Sequence, residues 1–240
     1  MRNSHFSFKQ FTINQDSCAM KVCTDACLLG AWVAHKMRGL NRGIKNILDI
    51  GTGTGLLALM LAQKTNAAID AIEINKDAAQ QAKENFMLSP WADKIHIHPA
   101  AIQQFAAFKK YDLIISNPPF FEDDLRSNDA HKNAAKHDTA LTLQQLIDAF
   151  KQHLADDGCA FVLLPYHRTN YCKAIAANAG LFVNEILLVK QSPQHHFFRS
   201  VIMLGKQQNN CKEEIIIIHD DKRKYTAEFT HLLKDYYLKL

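Results

Sequence analysis

The sequence predicts an α/β protein built on a doubly wound, Rossmann-like sheet that is mostly parallel, with one antiparallel strand near its C-terminal edge. Three observations support this fold. From residue 46 onward, short apolar runs alternate with amphipathic stretches at the spacing of strand–helix units. A glycine-rich turn at 51–55 follows the first run, and two prolines at 118–119 follow a later one. Both features place a turn at the carboxyl end of a buried strand, the edge where such sheets bind ligands.

Residues 1–45 are predicted to form a basic arm and a helix that pack on the core. The stretch 6–13, FSFKQFTI, interleaves apolar and polar side chains as a strand does. A helix is expected over 16–37, where apolar residues can form one face. Glycines and polar residues at 39–43 then interrupt the chain before the core begins.

The core is predicted over 46–206 as strands joined by helices and closed by one reversed strand. Short apolar runs suit strands that are buried on both faces, whereas amphipathic stretches suit helices. The run 197–205 lies within hairpin distance of the strand before it, so it is expected to run antiparallel. The other expected strands are 47–50, 67–74, 94–98, 111–116, 159–164 and 181–190, and the expected helices are 56–63, 76–88, 141–154 and 168–178.

Residues 207–240 are predicted to be an appendage of the same single domain. The polar stretch 207–212, QQNNCK, is expected to be a linker. A β-rich run at 215–218 and a terminal helix at 226–238 follow it.

Length and composition fit one domain, since 240 residues with 48% hydrophobic content can bury a full core. No apolar run reaches the length of a membrane helix, and the N-terminus has no secretory apolar region, so a cytoplasmic protein is expected. The six cysteines form no CxxC pair and the histidines have no metal-ligand spacing. Neither a metal site nor a disulfide framework is therefore expected, and a monomer is favoured.

Charge is distributed unevenly along the chain, whose formal net charge is +4. Residues 1–45 carry seven Lys or Arg against two acids, whereas residues 46–205 carry 14 basic and 16 acidic residues. A basic arm on a slightly acidic core favours a polyanionic partner, although a merely solvated surface would also explain it. The long polar loop 121–138 has more acids than bases, and it is interpreted as a lid, an RNA contact or a solvated loop.

The turn Gly51-Thr52-Gly53-Thr54-Gly55 indicates a nucleotide-type ligand. Its glycines let the backbone pass close to a ligand at the start of a helix. The dinucleotide fingerprint needs a glycine where Leu56 stands, so an NAD site loses support. Glu73 ends the next strand, where an acid can accept both hydroxyls of a ribose. The turn alone would suit several nucleotides, but the turn, this acid and the later stretch Asn117-Pro118-Pro119-Phe120 together favour S-adenosylmethionine.

The stretch Asn117-Pro118-Pro119-Phe120 indicates chemistry on a conjugated amine. The Asn117 side-chain oxygen and the Pro118 carbonyl are two acceptors that can converge on an exocyclic NH₂ group, and Phe120 can stack on the ring that carries it. The lone pair of such an amine is delocalised, so acceptors that pull its hydrogens out of plane favour a tetrahedral, nucleophilic nitrogen. A plain Pro-Pro turn is the alternative for this motif in isolation.

Together these motifs resemble those of class I methyltransferases that act on amines. The N-terminal FKQFTINQDSCAMKVCTDACLLGAW and the C-terminal KYTAEFTHLLKDYYLKL are similar to one bacterial branch, the tRNA1(Val) (adenine(37)-N6)-methyltransferase family. The likeness covers residues 6–240. It implies a methyltransferase that uses S-adenosylmethionine to methylate the N6 amine of adenine in the anticodon loop of a tRNA.

The resemblance also implies roles for individual residues. Those that match the catalytic motif are Asn117, Pro118, Pro119 and Phe120, and those that match the cofactor turn and its ribose acid are Asp49, Gly51, Gly53, Gly55 and Glu73. Lys21, Thr24 and Asp25 fall in the stretch that closes over the methionine end of the cofactor in similar enzymes. The run 98–102 lacks the acid that such enzymes often use for the cofactor adenine, so contacts near Ile74 and Ile102 are expected to replace it.

Three other functions remain open at this stage. Methylation of a glutamine amide in a protein such as a release factor faces the same lone-pair problem, but enzymes of that type usually carry a helical N-terminal domain. Adenine methylation in DNA would call for a target-recognition domain. A catalytically silent RNA-binding module is the alternative from outside the enzymes, and the intact glycines, Glu73 and Asn117 argue against it.

Overall fold

The protein is organised around one sheet in a computed structural model that describes residues 4–16, 20–39, 43–119 and 141–240. A separate hairpin precedes the sheet and is formed by β1 (His5–Ser7) and β2 (Thr12–Asn14). The described strands of the sheet are β3 (Asn46–Ile50), β4 (Ala68–Ile72), β5 (Ile95–His98), β6 (Tyr111–Ser116), β7 (Leu154–Pro165), β8 (Phe182–Lys190), β9 (Phe197–Gly205) and β10 (Lys212–Ile217).

Helices cover both faces of this sheet. They are α1 (Thr24–Gly39), α2 (Leu56–Ala62), α3 (Lys76–Met87), α4 (Leu143–His153), α5 (Thr169–Asn178) and α6 (Ala227–Leu233). Short 3₁₀ turns lie at Ala92–Lys94, Ile102–Gln104 and Tyr166–Arg168. No helix among the described ranges is long and apolar enough to cross a bilayer.

The strand order is β10-β8-β9-β7-β6-β3-β4-β5, and β9 alone runs against its neighbours. The prediction of a doubly wound, mostly parallel sheet with an antiparallel strand near one edge is confirmed. The chain proceeds from β3 outward through β4 to β5 and then returns to β6 on the other side of β3. The β3–β6 boundary is therefore the topological switch point, where the crevice at the carboxyl edge of such a sheet opens.

Successive residues of the central strands alternate between two cores. Ile47 packs with α1 and α2 on one face, whereas Leu48 packs with α4 and α5 on the other. Ile47 and Leu48 are both fully buried, and most side chains of β6 and β7 are buried as well. Strands covered on both faces need apolar residues at every position, which is why these runs lack polar alternation.

The N-terminal helix starts later than predicted. The pattern predicted a helix over 16–37, but α1 begins at Thr24 and residues 20–23 are not helical. The backbone N–H of Val22 donates to Oε1 of the buried Gln15 at 2.9 Å. This contact joins the non-helical residues before α1 to the residue that follows β2.

The C-terminal segment also differs from its prediction. Instead of a separate β-rich run at 215–218, β10 begins at Lys212 and extends the sheet by pairing parallel with β8. Helix α6 ends at Leu233 rather than 238, and Tyr236 then turns inward, where its hydroxyl donates to the Met60 carbonyl at 3.1 Å. The end of the chain is thereby fixed to α2.

Candidate active site

The two motif-bearing turns meet because their strands are neighbours. Strands β3 and β6 are parallel and pair Ile50 with Ser116, so Gly51 and Asn117 leave the sheet at the same level. Neighbouring strands lie about 4.8 Å apart. The Ser116 hydroxyl donates to the Ile50 carbonyl at 2.8 Å and links the two strand ends. A glycine turn and an Asn-Pro-Pro corner therefore face one space.

That space is a cavity of about 380 Å³ at the carboxyl edge of the sheet. Its lining joins residues 20–22 and 26, the glycine turn, the segment 72–75 with residue 78, and the segment 100–103 to the Asn117 corner. Of the residues singled out from the sequence, those in the lining are Lys21, Gly51, Gly53, Glu73, Ile74, Ile102, Asn117, Pro118 and Pro119. Thr24, Asp25, Asp49 and Gly55 lie outside the lining, and Phe120 lies outside the described residues.

The glycine turn has a left-handed backbone conformation at each of its three glycines. Gly51, Gly53 and Gly55 have φ of 71°, 57° and 88°, which other L-residues rarely adopt. The N–H groups of Gly51 and Thr52 both donate to the Ile72 carbonyl at 2.9 Å. A Cβ on Gly51 or Gly53 would meet nothing within 4 Å, because these two positions face the open cavity. The turn thus presents bare backbone to any ligand there.

Gly55→Ala is expected to destabilise the fold by about 2–5 kcal/mol, the sum of a left-handed backbone penalty and overpacking. The new Cβ would lie 2.3 Å from the Phe86 ring, so the ring would have to move. Gly51→Ala is the matched control, since it carries the backbone penalty without the clash. Urea unfolding of both variants checks this, and equal losses would show that Phe86 accommodates the methyl group.

Asp49 supports the turn from behind rather than lining the cavity. It is fully buried, and its Oδ2 accepts from the Thr52 hydroxyl at 2.7 Å and from the Ala58 N–H at 3.1 Å. Its Oδ1 has no partner among the described residues. Burial raises the pKa of Asp49 from 3.8 to about 7, with the nearby Glu73 carboxylate adding to the effect. No described group donates to Oδ1, so the charged form is stabilised through Oδ2 alone while burial favours the protonated form.

Asp49→Asn is expected to flatten the pH dependence of stability. The unfolded carboxyl loses its proton near its ordinary pKa of 3.8, whereas the folded one keeps it up to about 7. This stabilising contribution is complete below the unfolded pKa and falls as pH rises through the folded one, by up to about 1.4 kcal/mol per pH unit. Thermal unfolding of both proteins at a series of pH values across this window tests it. Parallel curves would show that Asp49 ionises normally in the fold.

Glu73 links the glycine turn to the turn that follows β4, on one side of the cavity. Its Oε2 accepts from the Gly53 N–H and its Oε1 from the Asn75 N–H, both at 2.9 Å. Each carboxylate oxygen can accept more than one hydrogen bond, so both retain capacity toward the cavity. The side chain is thus fixed in direction while it can still receive a pair of hydroxyl groups.

Asn117 presents an acceptor to the cavity. Its Oδ1 is buried and has no hydrogen-bond partner among the residues that the structure describes. Its Nδ2 lies 3.9 Å from the Met20 sulfur, a weak contact. The next residue, Pro118, is buried and has no N–H, so its carbonyl adds a second acceptor without adding a competing donor. Such a corner suits a ligand group that donates two hydrogens.

Thr24 and Asp25 stabilise the start of α1 next to the cavity. Asp25 accepts from its neighbour Ala26 N–H at 3.1 Å and from Arg199 Nε at 2.8 Å. Thr24 lies near the hydroxyl of Tyr237. Lys21, in contrast, lies in the cavity lining. Lys21 therefore belongs to the cavity wall, whereas Thr24 and Asp25 support the helix next to it.

A polar network that sequence reasoning missed positions the wall at 100–103. Asp70 of β4 accepts from the Tyr111 hydroxyl at 2.9 Å and pairs with His98 at 2.8 Å and with Lys109 at 2.9 Å. Burial alone would raise the pKa of Asp70, but these hydrogen bonds outweigh it and lower the pKa. The network fixes both ends of the 98–111 segment, which carries Ile102. No local sequence pattern indicates this network, because Asp70 and its partners are far apart in the chain.

Asn85 and Ser116 are two further supports that the sequence did not indicate. The Asn85 amide donates to the Thr54 and Asn14 carbonyls, both at 2.9 Å, and accepts from the Asn14 N–H at 3.0 Å. It therefore fastens the glycine turn to the N-terminal hairpin. An asparagine within a predicted helix does not by itself indicate such a role, because its partners lie in remote segments of the chain.

Comparison with known proteins agrees with this geometry. Residues 35–180 match the family model described as the methyltransferase small domain. A tRNA1(Val) (adenine(37)-N6)-methyltransferase from Cytophaga hutchinsonii is 43% identical to this chain, with both chains covered completely. Proteins of the same name from Trichodesmium erythraeum and Pectobacterium carotovorum are 40% and 39% identical, over 100% and 99% of this chain and 100% and 95% of theirs.

Solved structures share the fold at low identity. A predicted O-methyltransferase from Agrobacterium tumefaciens superposes with a TM-score of 0.66 at 17% identity, covering 88% of this chain and 96% of that one. A ribosomal protein L11 methylase from Lactobacillus delbrueckii gives 0.53 at 17% identity, covering 76% and 77%. Identity this low supports the fold alone. The full-length relatives carry the finer assignment, and they show that the chain belongs to the tRNA1(Val) (adenine(37)-N6)-methyltransferase family.

Proposed function

We propose that this protein transfers a methyl group from S-adenosylmethionine to the N6 amine of adenine in tRNA, at position 37 of tRNA1(Val). One observation carries the proposal. The glycine turn and the Asn117 corner leave neighbouring, in-register strands and open into a single cavity. A methyl donor on one side and an aromatic amine on the other can therefore meet across that cavity.

The cavity residues fit such a donor. Gly51 and Gly53 leave space for close approach to the backbone, and Glu73 offers two carboxylate oxygens for ribose hydroxyls. Ile74 and Ile102 supply apolar walls for an adenine ring, and the Gln103 amide beside them can both donate and accept. This set replaces the acid that similar enzymes often use at that position.

When bound, S-adenosylmethionine supplies a methyl group on a sulfonium that is already strongly electrophilic. The task of the protein is then placement of the amine rather than activation of the donor. Asn117 Oδ1 and the Pro118 carbonyl accept the two amine hydrogens and turn the nitrogen lone pair into the cavity. No dedicated base is needed, because the methylated nitrogen is acidic and sheds its proton to these acceptors or to water.

The target base must leave its stack to reach this corner. Bases in RNA loops can be splayed out and held on aromatic rings, and enzymes that modify bases extrude them into a pocket. Phe120 is the ring proposed to hold the extruded adenine, directly after the prolines. Because the proposed substrate is tRNA, we expect the enzyme to act in the cytoplasm.

Incubation with methyl-labelled S-adenosylmethionine tests the proposal. Unmodified tRNA1(Val), a peptide-chain release factor and DNA serve as parallel substrates, followed by nucleoside or amino-acid analysis. We expect N6-methyladenosine at position 37 of the tRNA and no label elsewhere. Label on a release-factor glutamine would assign the protein-methylating alternative instead. Absence of S-adenosylmethionine binding by isothermal titration would leave only an RNA-binding module.

A further inference from the structure

A cluster of aromatic rings and cations lies at the carboxyl edge of the sheet, beside the cavity but outside it. We define this aromatic surface by Tyr166, Arg168, Tyr171, Lys190 and Phe197. Tyr166 and Tyr171 are 41% and 48% exposed. The rings of Tyr166 and Phe197 lie 5.2 Å apart, Lys190 Nζ lies 5.0 Å from the Phe197 ring, and the Arg168 guanidinium lies 5.0 Å from the Tyr171 ring. Rings and positive charges therefore alternate across it.

The topology places this surface next to the Asn117 corner. Strand β7 pairs Val162 with Ser116 and then runs three residues further, to Pro165. Three residues of strand span about 10 Å, so Tyr166 stands above the neighbouring strand end. Because β9 runs in the opposite direction, its first residue, Phe197, comes to the same edge and pairs with Lys190.

An ion pair links the start of β9 to the start of α1. Arg199, paired with Pro165 across β7 and β9, donates from Nε to Asp25 at 2.8 Å. The residues just before α1, including Met20 and Val22, line the cavity. The ion pair thus joins the strand that carries Phe197 to the helix whose preceding residues line the cavity.

Three cations of the N-terminal arm contact acceptors within the protein. Lys9 donates to the Lys234 carbonyl at 2.6 Å, Lys36 pairs with Glu185 and Glu214, and Arg38 approaches Asp235 at 3.9 Å. Contacts of this kind reduce the charge that the arm can offer to phosphates. The aromatic surface combines cations with partly exposed rings at the carboxyl edge of the sheet.

We propose that the aromatic surface binds the single-stranded nucleotides that flank the target base in the RNA substrate, an inference that rests on the proposed function. Bases stack on exposed aromatic rings regardless of sequence, and nearby cations neutralise the connecting phosphates. An adenine extruded into the cavity has neighbours on the same strand. Those neighbours pass over the strand end beside Asn117, where Tyr166 and Tyr171 present their faces.

Replacing Tyr166 by alanine tests the stacking role. For Tyr166→Ala we expect the RNA Kd and KM to rise about 5- to 150-fold, the range for loss of one base–aromatic stack. The S-adenosylmethionine Kd should be unchanged, and Tyr166→Phe should retain wild-type RNA affinity. Fluorescence anisotropy with an anticodon stem-loop, alongside methylation kinetics, measures both quantities. A third variant, Lys190→Ala, should lower the slope of log K against log salt by about 0.7, as loss of one single-strand phosphate contact does.

Phe108→Ala is the matched control. Phe108 is a fully exposed ring just before β6, at the opposite, amino edge of the sheet, so its removal should leave RNA binding unchanged. Wild-type RNA affinity and KM in Tyr166→Ala, in an enzyme that methylates tRNA, would overturn the inference and leave the proposed function standing. An equal loss in Phe108→Ala would overturn it too. A wild-type enzyme that methylates no tRNA would instead overturn the proposed function.

Discussion

Replacing Asn117 by alanine is expected to lower kcat by about 10²- to 10³-fold, the usual effect of removing one hydrogen-bonding group that is preorganised for the transition state. The buried Oδ1 of Asn117 is the acceptor without a partner in the described part of the cavity, so its loss removes the contact that turns the amine. The Kd for S-adenosylmethionine should change little, because the glycine turn and Glu73 are untouched. Single-turnover kinetics and isothermal titration separate these two quantities.

Asn117→Asp is the matched variant for this prediction. It keeps the side-chain shape and an acceptor oxygen at the same place, so it should retain much more activity than Asn117→Ala. The Nδ2 contact with Met20 is weak at 3.9 Å, and its loss should not disturb the segment before α1. A fully active Asn117→Ala enzyme would show that the acceptor role is wrong.

Replacing Glu73 by glutamine is expected to weaken S-adenosylmethionine binding about 10- to 100-fold. Hydrogen bonds to a charged group contribute about 1.5–3 kcal/mol, and an amide offers only one oxygen where the carboxylate offers two. Because Glu73 also accepts from the Gly53 and Asn75 N–H groups, part of the loss could come from the turn itself. Isothermal titration with one ligand cannot tell these causes apart.

A thermodynamic cycle with a cofactor analogue lacking the ribose 2′-hydroxyl separates them. If Glu73 binds the ribose, removal of this hydroxyl should weaken binding to the wild-type protein and have a much smaller effect on Glu73→Gln. If Glu73 only braces the turn, the hydroxyl should contribute equally in both proteins. The second pattern would remove Glu73 from the proposed ribose contacts while leaving its structural role.

Much of the core could be predicted from the chain because local patterns report local structure. The strand 111–116 and the reversed strand 197–205 begin and end at the predicted residues. The ends of the four core helices lie within two residues of their predicted positions. Apolar runs bounded by glycine or proline have few alternatives, since a buried strand needs apolar residues on both faces and a proline ends it. The end segments were harder. Helix α1 starts at Thr24, and the Val22 N–H before it bonds to the Gln15 side chain, a contact that depends on the folded chain.

The same division applies to the site. The glycine turn, Glu73 and Asn117 could be identified because each follows a strand and has side-chain or backbone chemistry visible in the sequence. Asp70, Asn85 and Ser116 could not, since each acts on a partner at least 28 residues away. Lys36 likewise pairs with Glu185 and Glu214, which are remote in the sequence. This pairing partly neutralises an arm that is basic by sequence.

By itself, the sequence determined which residues have the chemistry for methyl transfer and at which ends of strands they stand. The tertiary structure decided that β3 and β6 are neighbours in register, that the two turns therefore share one cavity, and that aromatic rings and cations gather beside it. The physical reason is that strand and turn propensities depend on nearby residues, whereas strand order and ion pairing depend on burial and contacts between segments that are remote in the chain.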